Sequence, residues 1–274
     1  MLQLIQQTSR YLQDKTNNFH PEIGIILGSG LGNLATEIDS KYIIPYSEIP
    51  NFPQSTVHGH KGQLLFGYLS GKPVLAMQGR FHYYEGYDMK QITFPVRVMK
   101  ALGIHTLIVS NAAGGMNPDF QLGELMIIKD QINFMPSNPL IGKNEDALGP
   151  RFLDMCEPYS KKLIETAKNI ANKNNIRVKE GVYLAVTGPC FETPAEYKCF
   201  WRMGADAVGM STVPEVIVAK HGGMQVFGIS IITDLGIDGQ VENVSHEEVL
   251  KVAQAQEPKL SLLIKELVKE IPTK

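Results

Sequence analysis

The stretch Ile23-Gly24-Ile25-Ile26-Leu27-Gly28-Ser29-Gly30-Leu31-Gly32 decides the fold class. The uncharged apolar run Ile23–Leu27 does not alternate with polar residues, so it reads as a strand covered on both faces. The glycines that follow read as a tight turn feeding a helix. Strand, Gly-rich turn and helix in that order is the unit of a layered α/β fold. Glycines also let backbone approach an anion, and helix N-terminal amides favour negative charge. The spacing is G-x-G-x-G, short of the full dinucleotide fingerprint, and no acidic residue closes a second strand about twenty residues on. Taken alone, the turn is also explained as a connection with no ligand.

Working outward, further apolar runs predict strands at Gln63–Tyr68, Val74–Met77, Thr106–Val109, Leu125–Ile128, Val182–Val186 and Val226–Ile232. Helical spacing falls at Met1–Thr16, Met89–Leu102, Tyr159–Ala171, Pro194–Met203 and Pro214–His221. A last helical region starts near Ser245, with Pro258 expected to kink or divide it. Thr193-Pro194-Ala195-Glu196 and Ser245-His246-Glu247-Glu248 are capping boxes, and Thr212-Val213-Pro214-Glu215 is a third candidate. Strands alternating with helices imply an α/β fold whose site lies in loops after the strand C-termini.

The 274 residues hold 26 Lys+Arg against 28 Asp+Glu, a net charge of −2, with 43% hydrophobic residues. That balance excludes a disordered chain and gives no basic footprint for nucleic acid or an anionic membrane. Pro and Gly are not pooled into a linker and no repeat is present, so a single domain over 1–274 is expected. Three cysteines without metal-ligand spacing point to a reducing compartment. The N-terminal stretch lacks the parts of a secretory signal, and the longest uncharged apolar stretch, Gly222 to Thr233, is too short to span a bilayer. A cytoplasmic protein without membrane partners is expected.

Seven constellations bear on chemistry, and six of them follow or end a predicted strand. Beyond the first turn, Ser55-Thr56-Val57-His58-Gly59-His60-Lys61-Gly62 offers a loop histidine to an oxyanion; a metal pair at His58 and His60 lacks a third ligand nearby. In Gln78-Gly79-Arg80-Phe81-His82-Tyr83-Tyr84-Glu85-Gly86-Tyr87, Arg80 and His82 share a side if extended. Arginine suits phosphate or carboxylate, and the tyrosines suit a sugar or base. Ser110-Asn111-Ala112-Ala113-Gly114-Gly115 reads as an amide-lined turn. Phe191 and Glu192, just before the Thr193 cap, offer a flat face and an acceptor pair for a purine edge. Ser211 in Val208-Gly209-Met210-Ser211-Thr212 can donate to an oxyanion. Thr233-Asp234 ends a strand with a second carboxylate. Each has a structural explanation by itself. Together they describe a site for an anion and a flat heterocycle without a covalent nucleophile.

These segments, from about Ile23 to Leu250, resemble the trimeric, low-molecular-mass purine nucleoside phosphorylases. The resemblance implies one α/β domain with a central mixed, barrel-like sheet flanked by helices in three αβα layers. It implies a homotrimer, no cofactor, and inorganic phosphate as co-substrate with purine nucleosides. The phosphate ligands would be Ser29, His60, Arg80, His82, the Ala112 amide and Ser211. Tyr84 and His246 would hold the ribose hydroxyls, with Met210 against the sugar. Glu192 would read the purine N1 side and Phe191 would pack on the base. The catalytic set would be His82, Glu192, Asp234 and His246.

Asp234 departs from the family pattern, in which many relatives have Asn at this place. An ionised Asp accepts from a 6-amino group and repels a 6-oxo oxygen; a protonated one donates to N7. Asp at this place also fits the methylthioadenosine phosphorylases, whereas Glu192 and His246 fit the 6-oxopurine type. Inosine and guanosine are therefore expected as main substrates. A nucleoside-binding protein without turnover is the alternative outside enzymes. In the loop Asn133–Asn138, Phe134 is the candidate to reach a neighbouring subunit's site.

Overall fold

In the computed structural model, which describes residues 1–29, 31–57, 61–237 and 243–273, nine strands hydrogen-bond into one mixed sheet. In chain order these are β1 (Ile23–Leu27), β2 (Asp39–Pro45), β3 (Gln63–Leu69), β4 (Lys72–Gln78), β5 (Thr106–Gly115), β6 (Leu125–Asn133), β7 (Val178–Ala185), β8 (Ala207–Gly209) and β9 (Gln225–Leu235). They lie in the order β2-β3-β4-β1-β5-β8-β7-β6-β9, and β9 pairs back onto β5. Five strands thus close into a small barrel, and the other four extend from it as an arm. Barrel and arm mix parallel and antiparallel pairs. The expected central mixed, barrel-like sheet is what the chain forms.

Six helices flank it: α1 (Leu2–Lys15), α2 (Met89–Ala101), α3 (Lys161–Lys173), α4 (Pro194–Arg202), α5 (Val213–His221) and α6 (His246–Glu270). Helix α2 packs on α1 and α5, and α3 packs on α6. Every residue of β1 is buried, as its unbroken apolar run demands. Helix α6 is laid down by an apolar stripe of Val249, Ala253, Leu260, Ile264 and Leu267 at helical spacing. It runs through Pro258 undivided, because that residue lies on the exposed outer face between turns anchored by buried neighbours.

Two local expectations are corrected. The stretch Ser110–Gly115 is the second half of β5, not a turn after it, because β9 and β8 supply hydrogen-bond partners along its length. Thr233-Asp234 comes at the end of β9, as expected, one residue before Leu235 closes the strand. The Gly-rich turn after β1 feeds a short 3₁₀ helix, Asn33–Glu37, whose first amides at Asn33 and Leu34 donate to the buried Glu257 carboxylate of α6. A full α-helix does not form there.

Gly28 is the point where the Gly-rich segment touches the barrel. A Cβ there would lie 2.7 Å from the Ser110 carbonyl oxygen and 2.9 Å from the Asn111 Cα. Both contacts are with backbone of β5, which cannot yield without disturbing the sheet. Gly28→Ala is expected to lower the unfolding free energy by about 1–3 kcal/mol. Urea titration would show this as a lower midpoint at unchanged slope; an unchanged midpoint contradicts the close approach.

Candidate functional site

One end of the pocket is built around a buried guanidinium. Arg80 follows β4 and is 1% exposed. Its Nε lies 3.4 Å from Glu215 Oε1 on α5, and its Nη1 donates to Ser211 Oγ at 2.9 Å and Thr212 Oγ1 at 3.2 Å. Asn111 Nδ2 donates to the same Thr212 oxygen at 2.9 Å. Thr212 does not cap α5, as its position before Pro214 suggested. Its φ of 69° is left-handed, an uncommon state for a β-branched residue, and its hydroxyl serves Arg80 and Asn111 instead. The strain is held by these two bonds and places Ser211 on the pocket wall.

His82 stands beside this end. Its Nδ1 is 3.0 Å from Glu85 Oε1, on the 3₁₀ turn Tyr83–Glu85. Burial acts to raise the Glu85 carboxyl, but hydrogen bonds from His82 and Thr56 outweigh it and hold the group at about 2. An ionised Glu85 accepts only, so the His82 proton sits on Nδ1. Burial pushes the imidazole below its ordinary value, helped by the Arg80 charge and opposed by Glu85. The Tyr84 ring stacks on His82 with centroids 4.7 Å apart, and burial pushes its hydroxyl up to about 12.

The other end carries two carboxylates. The Thr193 capping box of α4 forms as expected and fixes Glu192 one residue before the cap. Burial pushes Glu192 up to about 7, with the Asp234 charge adding to the rise. Asp234 is raised by burial and lowered by hydrogen bonds from Tyr197 and Thr233. Tyr197 Oη donates to Asp234 Oδ2 at 2.7 Å, and Thr233 Oγ1 donates to Oδ1 at 3.1 Å. The β5–β9 register shifts between Ala113 and Gly114, which brings Asp234 opposite Gly114. A Cβ at 114 would lie 2.7 Å from Asp234 Oδ2 and 2.8 Å from Tyr197 Oη, so the pair needs glycine there.

Between the ends lies a cavity of about 460 Å³. Ser29, Arg80, His82, Ala112 and Ser211 line one part of it; Phe191, Glu192 and Asp234 line another; Tyr84, Met210 and His246 line the wall as well. Ser245 caps α6 with its box complete, so His246 opens the first turn. His58 and His60 lie outside the described residues. Phe134 is 51% exposed and sets its ring edge-on against Phe200 at 5.4 Å.

Sequence reasoning missed Glu85, which lines the cavity, and three residues outside its lining: Glu215, Thr212 as a hydrogen-bond hub, and Tyr197. Glu85 was visible as a carboxylate three residues after His82. Glu215 and Tyr197 had no signal beyond their places in helices α5 and α4, because their partners are distant in sequence. Among the described residues no group of three or more His, Cys, Asp or Glu is placed to hold a metal ion. No helix there is long and apolar enough to cross a membrane, and the three cysteines are free and exposed.

The sequence profile described as the phosphorylase superfamily matches residues 22–269. A purine nucleoside phosphorylase 1 from Geobacillus stearothermophilus is 55% identical over 267 residues, covering 97% of both chains. The purine nucleoside phosphorylase of Schistosoma mansoni in complex with adenosine is 42% identical, with TM-score 0.94 over 100% of this chain and 99% of that one. The same enzyme in complex with inosine gives TM-score 0.93 at 41% identity, covering 100% and 98%.

Arg80 lines the cavity and its guanidinium is held by Glu215, Ser211 and Thr212, a fork geometry that an ammonium does not reproduce. Arg80→Lys is expected to weaken binding of inorganic phosphate by about tenfold or more. Calorimetric titration checks this; equal affinity in the two proteins would remove Arg80 as the anion anchor.

Proposed function

Because the chain belongs to the phosphorylase superfamily and, within it, to the purine nucleoside phosphorylases, we propose that this pocket catalyses reversible phosphorolysis of purine ribo- and deoxyribonucleosides. Inosine and guanosine are the main substrates, and free base and (deoxy)ribose 1-phosphate are the products, as purine salvage requires. The observation that supports this best is the arrangement of one cavity with a buried arginine at one part and a carboxylate pair at another.

Phosphate sits against Arg80, Ser29, Ser211 and the Ala112 amide, with His82 beside it; His60, outside the described residues, is a further ligand that the family resemblance implies. Neutral His82 carries its proton on Nδ1, so Nε2 accepts from a protonated phosphate oxygen. Tyr84 and His246 hold the ribose hydroxyls and Met210 packs on the sugar. Phe191 packs on the base and Glu192 faces its N1 side. A phosphate oxygen attacks the anomeric carbon while the bond to N9 breaks, with inversion. The bond pair passes into the purine, and a donor at N7, the protonated Asp234, stabilises the leaving base. Charge develops at the sugar and the base between fixed groups, so no covalent nucleophile is required. Phosphate is the co-substrate and no cofactor takes part.

Asp234 also favours a second reading, a 6-aminopurine or methylthioadenosine phosphorylase. Glu192 and the imidazole of His246 oppose the latter, since a methylthio group prefers an apolar wall. A homotrimer is part of the proposal. The connection from β6 to α3 supports it by exposing Phe134, Ile141 and Phe152, the last at 89%.

Base release from inosine, guanosine, adenosine and methylthioadenosine, each with and without phosphate, tests the assignment. Release from inosine and guanosine that requires phosphate is expected. Phosphate-independent release would indicate a hydrolase, and no release from any nucleoside would indicate a binding protein. Light scattering is expected to find three chains per particle; a monomer would contradict the assembly.

A further inference from the structure

One carboxylate occupies a place that packing alone would give to an apolar side chain. Helix α6 buries Val249, Ala253, Leu260, Ile264 and Leu267, and Glu257 stands between Ala253 and Leu260 in that stripe. It is 2% exposed. Burial raises its carboxyl, and hydrogen bonds from Asn33 and Leu34 act against the rise. Its Oε2 is buried and has no hydrogen-bond partner among the described residues. A charge held in a core with one oxygen unsatisfied is costly, so its place calls for a reason other than packing.

The reason lies in what Oε1 touches. Asn33 N donates to it at 2.5 Å and Leu34 N at 3.2 Å. These amides open the 3₁₀ helix Asn33–Glu37, and leading amides of a helix have no partner within it. That helix directly follows the Gly-rich turn carrying Ser29, which lines the cavity. Leu31 N donates to the Gly28 carbonyl at 3.2 Å and closes the turn. The Gly32 carbonyl accepts from Gln78 Nε2 at 3.1 Å, and Gln78 stands two residues before Arg80. The exit of the turn is therefore tied to β4 through Gln78 and to α6 through Glu257. The first residue of α6, His246, lines the same cavity as Ser29 and Arg80, about three turns before Glu257. The far end of the 3₁₀ helix meets α6 again, where Lys265 pairs with Glu37; that pair is partly exposed and contributes little.

We propose that Glu257 is a positioning residue for anion binding, which holds the turn carrying Ser29 from behind without touching the anion. The inference rests on the assignment of phosphate to Ser29 in the proposed function. Charge and positioning predict opposite signs here. By Coulomb attraction alone, removing a carboxylate favours an anion, whereas releasing the turn weakens its binding.

Steady-state kinetics with inosine and varied phosphate test this in the wild type, Glu257→Met, Glu257→Gln, Lys265→Met, Ser29→Ala and the double variant Ser29→Ala/Glu257→Met. Methionine fills the space without an acceptor, and glutamine keeps the acceptor while dropping the charge. Glu257→Met is expected to raise the KM for phosphate about tenfold or more, with kcat and the KM for inosine within about threefold of wild type. Glu257→Gln is expected to restore the phosphate KM to within about threefold, and Lys265→Met to leave it there. Adding Glu257→Met to Ser29→Ala is expected to change the phosphate KM by less than about twofold, because both act through one side chain. An unchanged or lower phosphate KM in Glu257→Met, an equal rise in Glu257→Gln or Lys265→Met, or full additivity with Ser29→Ala would reduce Glu257 to a core residue. If Glu257→Met does not fold, Glu257→Asp, whose acceptor falls one methylene short, is read in the same way. These results in an active wild type overturn this inference alone, whereas a wild type without phosphate-dependent cleavage overturns the proposed function beneath it.

Discussion

The pairing of β5 with β9 is the constraint on which the rest of the structure depends. It closes the barrel, and its ladder runs the length of both strands. The register shift between Ala113 and Gly114 sets which residues of β9 face the cavity. Asp234 reaches the pocket because of that shift, and Gly114 faces it because any side chain would meet the carboxylate. The same β5 carries the Ala112 amide and the Asn111 side chain, which fixes Thr212 at the far end. One strand pair therefore positions Ala112, Asn111 and Asp234 relative to one another.

Charge is handled locally. A net charge of −2 gives no general attraction for an anion, so in the proposed function that attraction comes from a buried fork and a few amides. Buried Arg80 lies beside the Glu215 carboxylate, and its Nη1 donates to two neutral hydroxyls. The acidic end repeats the logic with opposite sign. Asp234 is raised by burial, and two hydroxyl donors act against that rise.

Much of this was legible in the sequence, for physical reasons that differ by element. Strand β1 and its glycines were clear because a doubly covered strand is an unbroken apolar run. Helices α4 and α6 were placed to within a residue by their capping boxes, whose partners are three residues apart. Strand β2 was not seen, because it is an edge strand in which exposed and half-buried residues alternate and only Ile44 is buried. Strand β8 is three residues long and exists only by pairing with β5 and β7. The Ser110–Gly115 segment was misread because small residues and glycines are depleted in strands, and tertiary partners overrode that preference. At the site, the residues that touch the cavity were readable from motifs. Glu215 and Tyr197 were not, since a buried partner more than thirty residues away leaves no local pattern.

A crystal structure of the chain with inorganic phosphate and hypoxanthine tests the central claim most directly. The account predicts the anion within hydrogen-bond distance of the Arg80 guanidinium, Ser211 Oγ and the Ala112 amide. It predicts the base plane against Phe191 with its polar edge between Glu192 and Asp234. An anion bound away from Arg80, or a base whose edge faces neither carboxylate, would contradict it.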